Sequence, residues 1–297
     1  MDSPIANMEE QLEHNAGKNL FCGWESSNFS FTTGTQHVIA AIRSGDLLVT
    51  DTLLDRTVQS VLESFFRVNQ YYSFSKSDKQ LLYDVYKQLV DDILAAPYKD
   101  VTDIARNHFL RLQQWLRDTN LFASSVFPEK MGNVSGLVPC SEYSAMVQLD
   151  VLGINASKLL EPILDIGCGE HANLVTHLRT CGLQAYGMDR FNNNVEHIFT
   201  ADWMEYTFEP QRWGSIISNL SFANHFVHHH MRNDGNFLGY AKKYMEILES
   251  LVVGGTFYYA PSLPFIEPFL DPQKFVVQSF SIVGATQKAS RVVRLCL

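Results

Sequence analysis

The chain has 297 residues, 46% hydrophobic and 19% charged, an ordinary globular balance sufficient for one large domain with an appended part or for two modest domains. Its formal net charge of −9 and the lack of any Lys/Arg run disfavour nucleic acid as a partner. Five cysteines without a CxxC pair, acidic and polar residues where a signal peptide needs an apolar core, and no apolar run of spanning length point to the cytoplasm, reduced thiols and no membrane partner.

Residues 1 to about 35 are polar and rich in Ser, Asn and Thr, and read as an irregular lead-in. Leu53, Leu54, Val58, Val61, Leu62, Phe65 and Phe66 then recur at helical spacing. A second stripe runs from Leu81 to Ile93, behind a Ser77-Asp78 cap and ahead of Pro97. A third runs from Ile104 to Leu116. Residues 120–140 read as a connector and 141–152 as a further helix, so 1–140 is expected to be a helical cap or substrate lid and 141–297 a second domain.

From Pro162 the pattern changes to short apolar strands alternating with helices. Strands are expected at 162–166, 183–188, 196–200, 214–219 and 252–260, with helices near 171–181 and 236–250. That alternation implies a mostly parallel α/β sheet covered on both faces. The last two segments, 275–282 and 291–297, are too close for a helical crossover and should pair as an antiparallel hairpin at the sheet edge.

The chemistry-bearing stretch is Pro162-Ile-Leu-Asp165-Ile-Gly167-Cys168-Gly169-Glu170, a strand running into a glycine-bent turn. Glycines there let a ligand approach bare backbone N–H groups. Asp189, about twenty residues beyond the turn, is placed to accept both hydroxyls of a ribose. Gly167-Cys-Gly169-Glu-His-Ala172 also satisfies the G-x-G-x-x-[G/A] dinucleotide pattern, so an NAD(P)-dependent oxidoreductase is a serious reading. Asp165 points the other way, because a dinucleotide site usually carries a small apolar residue where this carboxylate stands. Asp202-Trp203, after the third strand, suits an adenine: the acid accepts from the exocyclic amine and the aromatic offers the ring an apolar surface.

Taken with Ile217-Ser-Asn219-Leu220-Ser-Phe222, Leu251-Val-Val-Gly254-Gly255 and the terminal hairpin, these segments resemble the class I S-adenosylmethionine-dependent methyltransferases over residues from about 140 to 297. The resemblance implies a Rossmann-like, mostly parallel seven-stranded sheet with an antiparallel C-terminal hairpin. It implies S-adenosyl-L-methionine as cofactor and S-adenosyl-L-homocysteine as product. The glycine loop (Asp165, Gly167, Cys168, Gly169) would hold the methionine moiety, Asp189 with Arg190 the ribose, and Asp202 and Trp203 the adenine. Asn219 and Leu220 would face the transferable methyl. His171 stands where a third glycine is common in that family. A catalytically silent nucleoside-binding relative is a further alternative.

The stretch from Asn219 to His230 is the expected reaction face, with His225 and then His228 as general base or substrate-orienting donor. His225 and His229 share a helical face, but no carboxylate or thiol is supplied nearby, so no metal is expected. Tyr71 and Tyr72 either pack two helices together or form a lid, with a phenol (Tyr72 foremost) touching the substrate. Tyr143 is a further substrate-binding candidate, and Phe222 either meets the substrate or belongs to the core. Glu267 either meets a substrate cation or is a solvated carboxylate at a helix start. The acidic balance and the aromatic-rich cap favour a small-molecule acceptor, methylated at O or N. The oligomeric state, a homodimer included, is not legible in the sequence.

Overall fold

The structure, a computed structural model, describes residues 4–16, 18, 20, 23–27, 29–95, 100–120, 143–191, 195–282 and 286–296. Met1–Cys140 and Ser141–Leu297 each form a compact unit. The expected connector, 120–140, lies almost wholly outside the described residues.

The first unit is helical: α1 (Pro4–Asn15), α2 (Trp24–Ser27), α3 (Thr33–Ser44), α4 (Asp51–Val68), α5 (Lys76–Ala95) and α6 (Val101–Thr119). The three apolar stripes do become helices. Leu54, Val58, Val61, Leu62 and Phe66 of α4 are buried, as are Ile104, Phe109, Leu112, Trp115 and Leu116 of α6. Thr32, Thr50 and Asp100 cap α3, α4 and α6 by accepting backbone N–H groups, and Gly45 closes α3 at φ 81°. The irregular lead-in is corrected, since α1, α2 and the start of α3 occupy it. Its polar side chains do structural work that periodicity does not reveal: Gln11 donates to the Ser30 carbonyl at 2.8 Å and accepts the Thr32 N–H at 2.8 Å. The α5 cap also shifts. Ser75 and Asp78 form a reciprocal pair, Ser75 N–H donating to Asp78 Oδ2 (2.8 Å) and Asp78 N–H to Ser75 Oγ (3.2 Å).

The second unit opens with α7 (Ala145–Val151), capped by Ser144, and continues as β1 (Ile163–Ile166), α8 (Asn173–Thr180), β2 (Ala185–Asp189), β3 (Ile198–Thr200), β4 (Trp213–Asn219), α9 (Phe222–His230), α10 (Phe237–Glu249), β5 (Leu251–Ala260), β6 (Phe275–Ser281) and β7 (Lys288–Arg294). The strands form one seven-stranded sheet in the order β3-β2-β1-β4-β5-β7-β6. The first five strands pair in parallel, and β7 runs antiparallel to both β5 and β6. This is the Rossmann-like sheet with a terminal hairpin. One detail differs: β6 is the edge, and β7 enters between it and β5, starting at Lys288 rather than at 291. The packing explains the strand composition. One face is covered by a cluster that includes Leu164, Ile166, Ile216, Phe222, Phe226, Tyr244 and Phe257, the other by one with Ile163, Ile217, Leu174, Val175 and Leu178. Among the described residues no helix is long and apolar enough to cross a membrane.

Candidate functional site

The carboxyl ends of β1, β2 and β4 lie side by side, with Asp165 in register with Gly187 and Ile217. Because side chains alternate, Asp165, Asp189 and Asn219 share one face of the sheet at its carboxyl edge. Open α/β sheets bind their ligands at that edge.

Gly167 and Gly169 both adopt left-handed backbone, φ 75° and 78°, which glycine takes without steric cost. The turn differs from expectation in what its amides do. Gly167 and Cys168 N–H donate to the Met188 carbonyl (2.8 and 3.2 Å), and Gly169 N–H donates to Asp189 Oδ2 (2.8 Å). These three amides therefore tie the turn to the tip of β2 rather than standing bare. Gly167 has a packing role as well: a Cβ there would lie 2.5 Å from Ser221 Cβ and 3.2 Å from the Trp203 ring. The Cys168 side chain is buried on the α8 side, so near Gly187 that a Cβ there would lie 2.7 Å from its sulfur.

The two carboxylates are the electrostatic centre of the edge. Asp165 is 1% exposed, and burial, seconded by the Asp189 charge, pushes its carboxyl up to about 8. Its Oδ2 has no hydrogen-bond partner. Burial also raises the Asp189 carboxyl, against the opposing pull of Arg190 and of its backbone hydrogen bonds. Asp189 Oδ1 accepts the Phe191 N–H at 3.2 Å. The Arg190 backbone N–H adds a third hydrogen bond to the same carboxylate. Beside them the Asn219 amide is 9% exposed, and neither its Oδ1 nor its Nδ2 has a partner.

Asp202 accepts the Met204 N–H through Oδ1 (2.8 Å) and is half-buried, while Trp203 is buried, its ring edge-on to His225 at 5.1 Å. Leu220 holds a non-glycine positive φ of 55°, fixed by its N–H to the Ala260 carbonyl (2.9 Å) and by Asn224 Nδ2 on its own carbonyl (2.8 Å). Ser221, absent from the sequence-based set, joins the site's parts: its hydroxyl donates to the Ile166 carbonyl at 2.7 Å and lies 2.7 Å from Ser218 Oγ.

On α9, His225 is 3% exposed with Nδ1 3.5 Å from the Tyr240 hydroxyl. Burial holds its imidazole well below the usual histidine range, helped by the positive charge of Arg190 and by His229 and His228. His228 is pushed down to about 4 by burial and by Arg232, whose Nη1 lies 3.0 Å from its Nε2. Arg232 is itself clamped by Asp234 through two contacts, 3.0 and 2.6 Å. His229, passed over as a base, accepts the Asn236 N–H at Nδ1 (3.1 Å) and stacks on Tyr240. Among the described residues no three His, Cys, Asp or Glu side chains stand together as a metal site.

The remaining candidates separate. Phe222 is fully buried against Trp203, Phe226, Tyr240 and Phe257, the core alternative of the two. Glu267 is neither solvated nor open: its Oε1 accepts the Tyr259 hydroxyl and the Leu263 N–H, both at 2.7 Å, in a buried network. Tyr143 is 37% exposed and tied to the glycine-turn helix through its carbonyl, which accepts Asn173 Nδ2 at 3.3 Å. Tyr71 and Tyr72 belong to the helical unit. Tyr72 is buried there, edge-on to Phe65 and stacked with Phe74, which is the packing role; Tyr71 is half-buried.

No protein-family profile matches the sequence, and no curated protein matches it. Solved structures do. The chain is similar to the plantazolicin methyltransferase BpumL in complex with S-adenosylhomocysteine, at 11% identity over 51% of this chain and 84% of that one, TM-score 0.35. It is similar to a TehB-like S-adenosylmethionine-dependent methyltransferase from Corynebacterium glutamicum, at 13% identity over 52% and 90%, TM-score 0.37. A third is the N-methyltransferase NodS from Bradyrhizobium japonicum in complex with S-adenosylhomocysteine, at 11% identity over 50% and 84%, TM-score 0.36. The likeness is one of fold. All three are methyltransferases.

Proposed function

We propose that the chain is an S-adenosylmethionine-dependent methyltransferase acting on a small molecule at oxygen or nitrogen. The observation that carries this reading is the set of unpartnered polar atoms at neighbouring strand tips, Asp165 Oδ2 and both amide atoms of Asn219, beside the buried Asp189 carboxylate. Buried polar groups without partners are costly, and a ligand that completes them relieves the cost. Two crowded carboxylates call for a positively charged ligand. A dinucleotide pyrophosphate calls for bare amides and no acid where Asp165 stands, and the amides of Gly167, Cys168 and Gly169 are already engaged. S-adenosylmethionine, with its ammonium and sulfonium, fits the first requirement.

The cofactor would supply a methyl group on a positively charged sulfur, and the hard chemistry is its own. Asp165 and the glycine turn would hold the methionine end, Asp189 the ribose hydroxyls, and Asp202 with Trp203 the adenine. Asn219 and Leu220 would line the methyl side, where α9 begins. The neutral imidazole of His225 would orient the acceptor and take its proton, with the Tyr240 hydroxyl steadying the ring through Nδ1. His228 is the second choice, because Arg232 already faces its Nε2. Tyr143, tied to Asn173, is a candidate for the substrate side.

Calorimetry on the full chain tests the reading. S-adenosylhomocysteine is expected to bind at micromolar concentration and NADH not to bind, with Asp189→Ala losing about a hundredfold in affinity for the first. NADH binding in its place, or an Asp189→Ala protein that holds S-adenosylhomocysteine as tightly as the parent, would overturn it.

A further inference from the structure

The helical unit contains a cavity of about 240 Å³, whose lining among the described residues all belongs to that unit. Its walls are mostly apolar, with Phe29, Phe31, Phe65, Tyr86 and Phe109 contributing rings. An apolar cavity of roughly 150 Å³ stays dry and takes up benzene, so this one has room for a molecule of about two fused rings. In the same wall stands His108, 2% exposed, with no hydrogen-bond partner at Nδ1. The imidazole sits edge-on to Tyr86 at 4.8 Å and near Phe31 at 6.4 Å. Burial, with the nearby Arg111 charge, pushes it down to about 3, so it is neutral at physiological pH and offers an uncharged donor or acceptor. Packing alone does not explain a polar ring without a partner in an apolar wall, since a leucine would fill the place without that cost. Lys18, also at the wall, directs its ammonium to Asn15 Oδ1 at 2.9 Å.

We infer that the helical unit binds an uncharged, largely apolar molecule about two rings in size, whose single hydroxyl or carbonyl pairs with His108. The residues named belong to the helical unit, and occupancy of the cavity can be read without any methyl transfer. Cavities of this kind are mainly apolar, with a few polar groups that fix the ligand's orientation.

Naphthalene, 2-naphthol and 2-naphthoate, titrated into the full chain with binding read by fluorescence, test the inference. The expected result is saturable 1:1 binding of 2-naphthol, at least about tenfold tighter than naphthalene, with that advantage lost in His108→Leu. Val61→Phe, which fills the cavity, is expected to weaken both neutral probes. Equal affinity of naphthalene and 2-naphthol, or no saturable binding, would overturn the inference. Tighter binding of 2-naphthoate would also overturn it, by making Lys18 the anchor. Should either variant fail to fold, the parent protein soaked with 6-bromo-2-naphthol decides the matter in the crystal. A bromine peak beside Phe31 and His108 supports the site, and a peak elsewhere only, or none, removes it.

Discussion

At the scale of single residues, the strand-tip acids and the α9 imidazoles are held in states that water would not give them. Asp165 is an acid whose folded pKa, about 8, lies above its unfolded value near 3.8. Between those values the folded state holds the extra proton, so ionisation withdraws stability as pH rises from about 4 through 8. Asp165→Asn removes that penalty. Urea melts at pH 5 and pH 8 should show the variant gaining about 3 kcal/mol on the parent between the two, and a difference independent of pH would contradict the buried, unpaired state of the carboxyl. His225 carries the opposite shift and is neutral across the working range. His225→Ala is therefore expected to lower kcat by about a hundredfold, within the span of general-base catalysis, while affinity for S-adenosylhomocysteine changes less than about threefold. Unchanged turnover would pass the role to another group.

At the scale of elements, the turn between β1 and α8 is held by atoms distant in sequence. Gly167→Ala would push a methyl into Ser221 at a positive φ of 75°. The expected loss is about 2–4 kcal/mol in unfolding free energy, with weaker S-adenosylhomocysteine binding; chemical denaturation beside calorimetry checks both. The alternation of apolar strands and helices, the glycine turn and the acid closing β2 were legible in sequence because each is a local pattern. The engagement of the turn's amides was not, because their acceptors, Met188 and Asp189, lie about twenty residues on and Ser221 about fifty. Glu267 was misread for a related reason: a carboxylate at the start of a short helical turn can point into the core, and only the packing decides. The helices of the first 35 residues were missed because Gln11 and Thr32 join them through polar contacts with no hydrophobic period.

At the scale of the whole molecule, charge and architecture point the same way. A net charge of −9 disfavours a polyanion, so fluorescence polarisation with labelled tRNA at about 150 mM salt should show no saturable binding at micromolar protein. Saturable binding would displace the small-molecule reading of the acceptor. The chain is also built from two units of different texture. An α/β sheet presents acids and an amide at one edge, while a helical bundle contains an apolar hollow with an imidazole, His108, in its wall. Composition gave no hint of that hollow, because a cavity is a property of how side chains fail to meet.

The serine that fills the space above Gly167 has one more consequence. Its hydroxyl grips the end of β1 while its backbone opens the helix that carries the histidines. The bend at Gly167 and the helix that carries the histidines are thus joined through a single side chain.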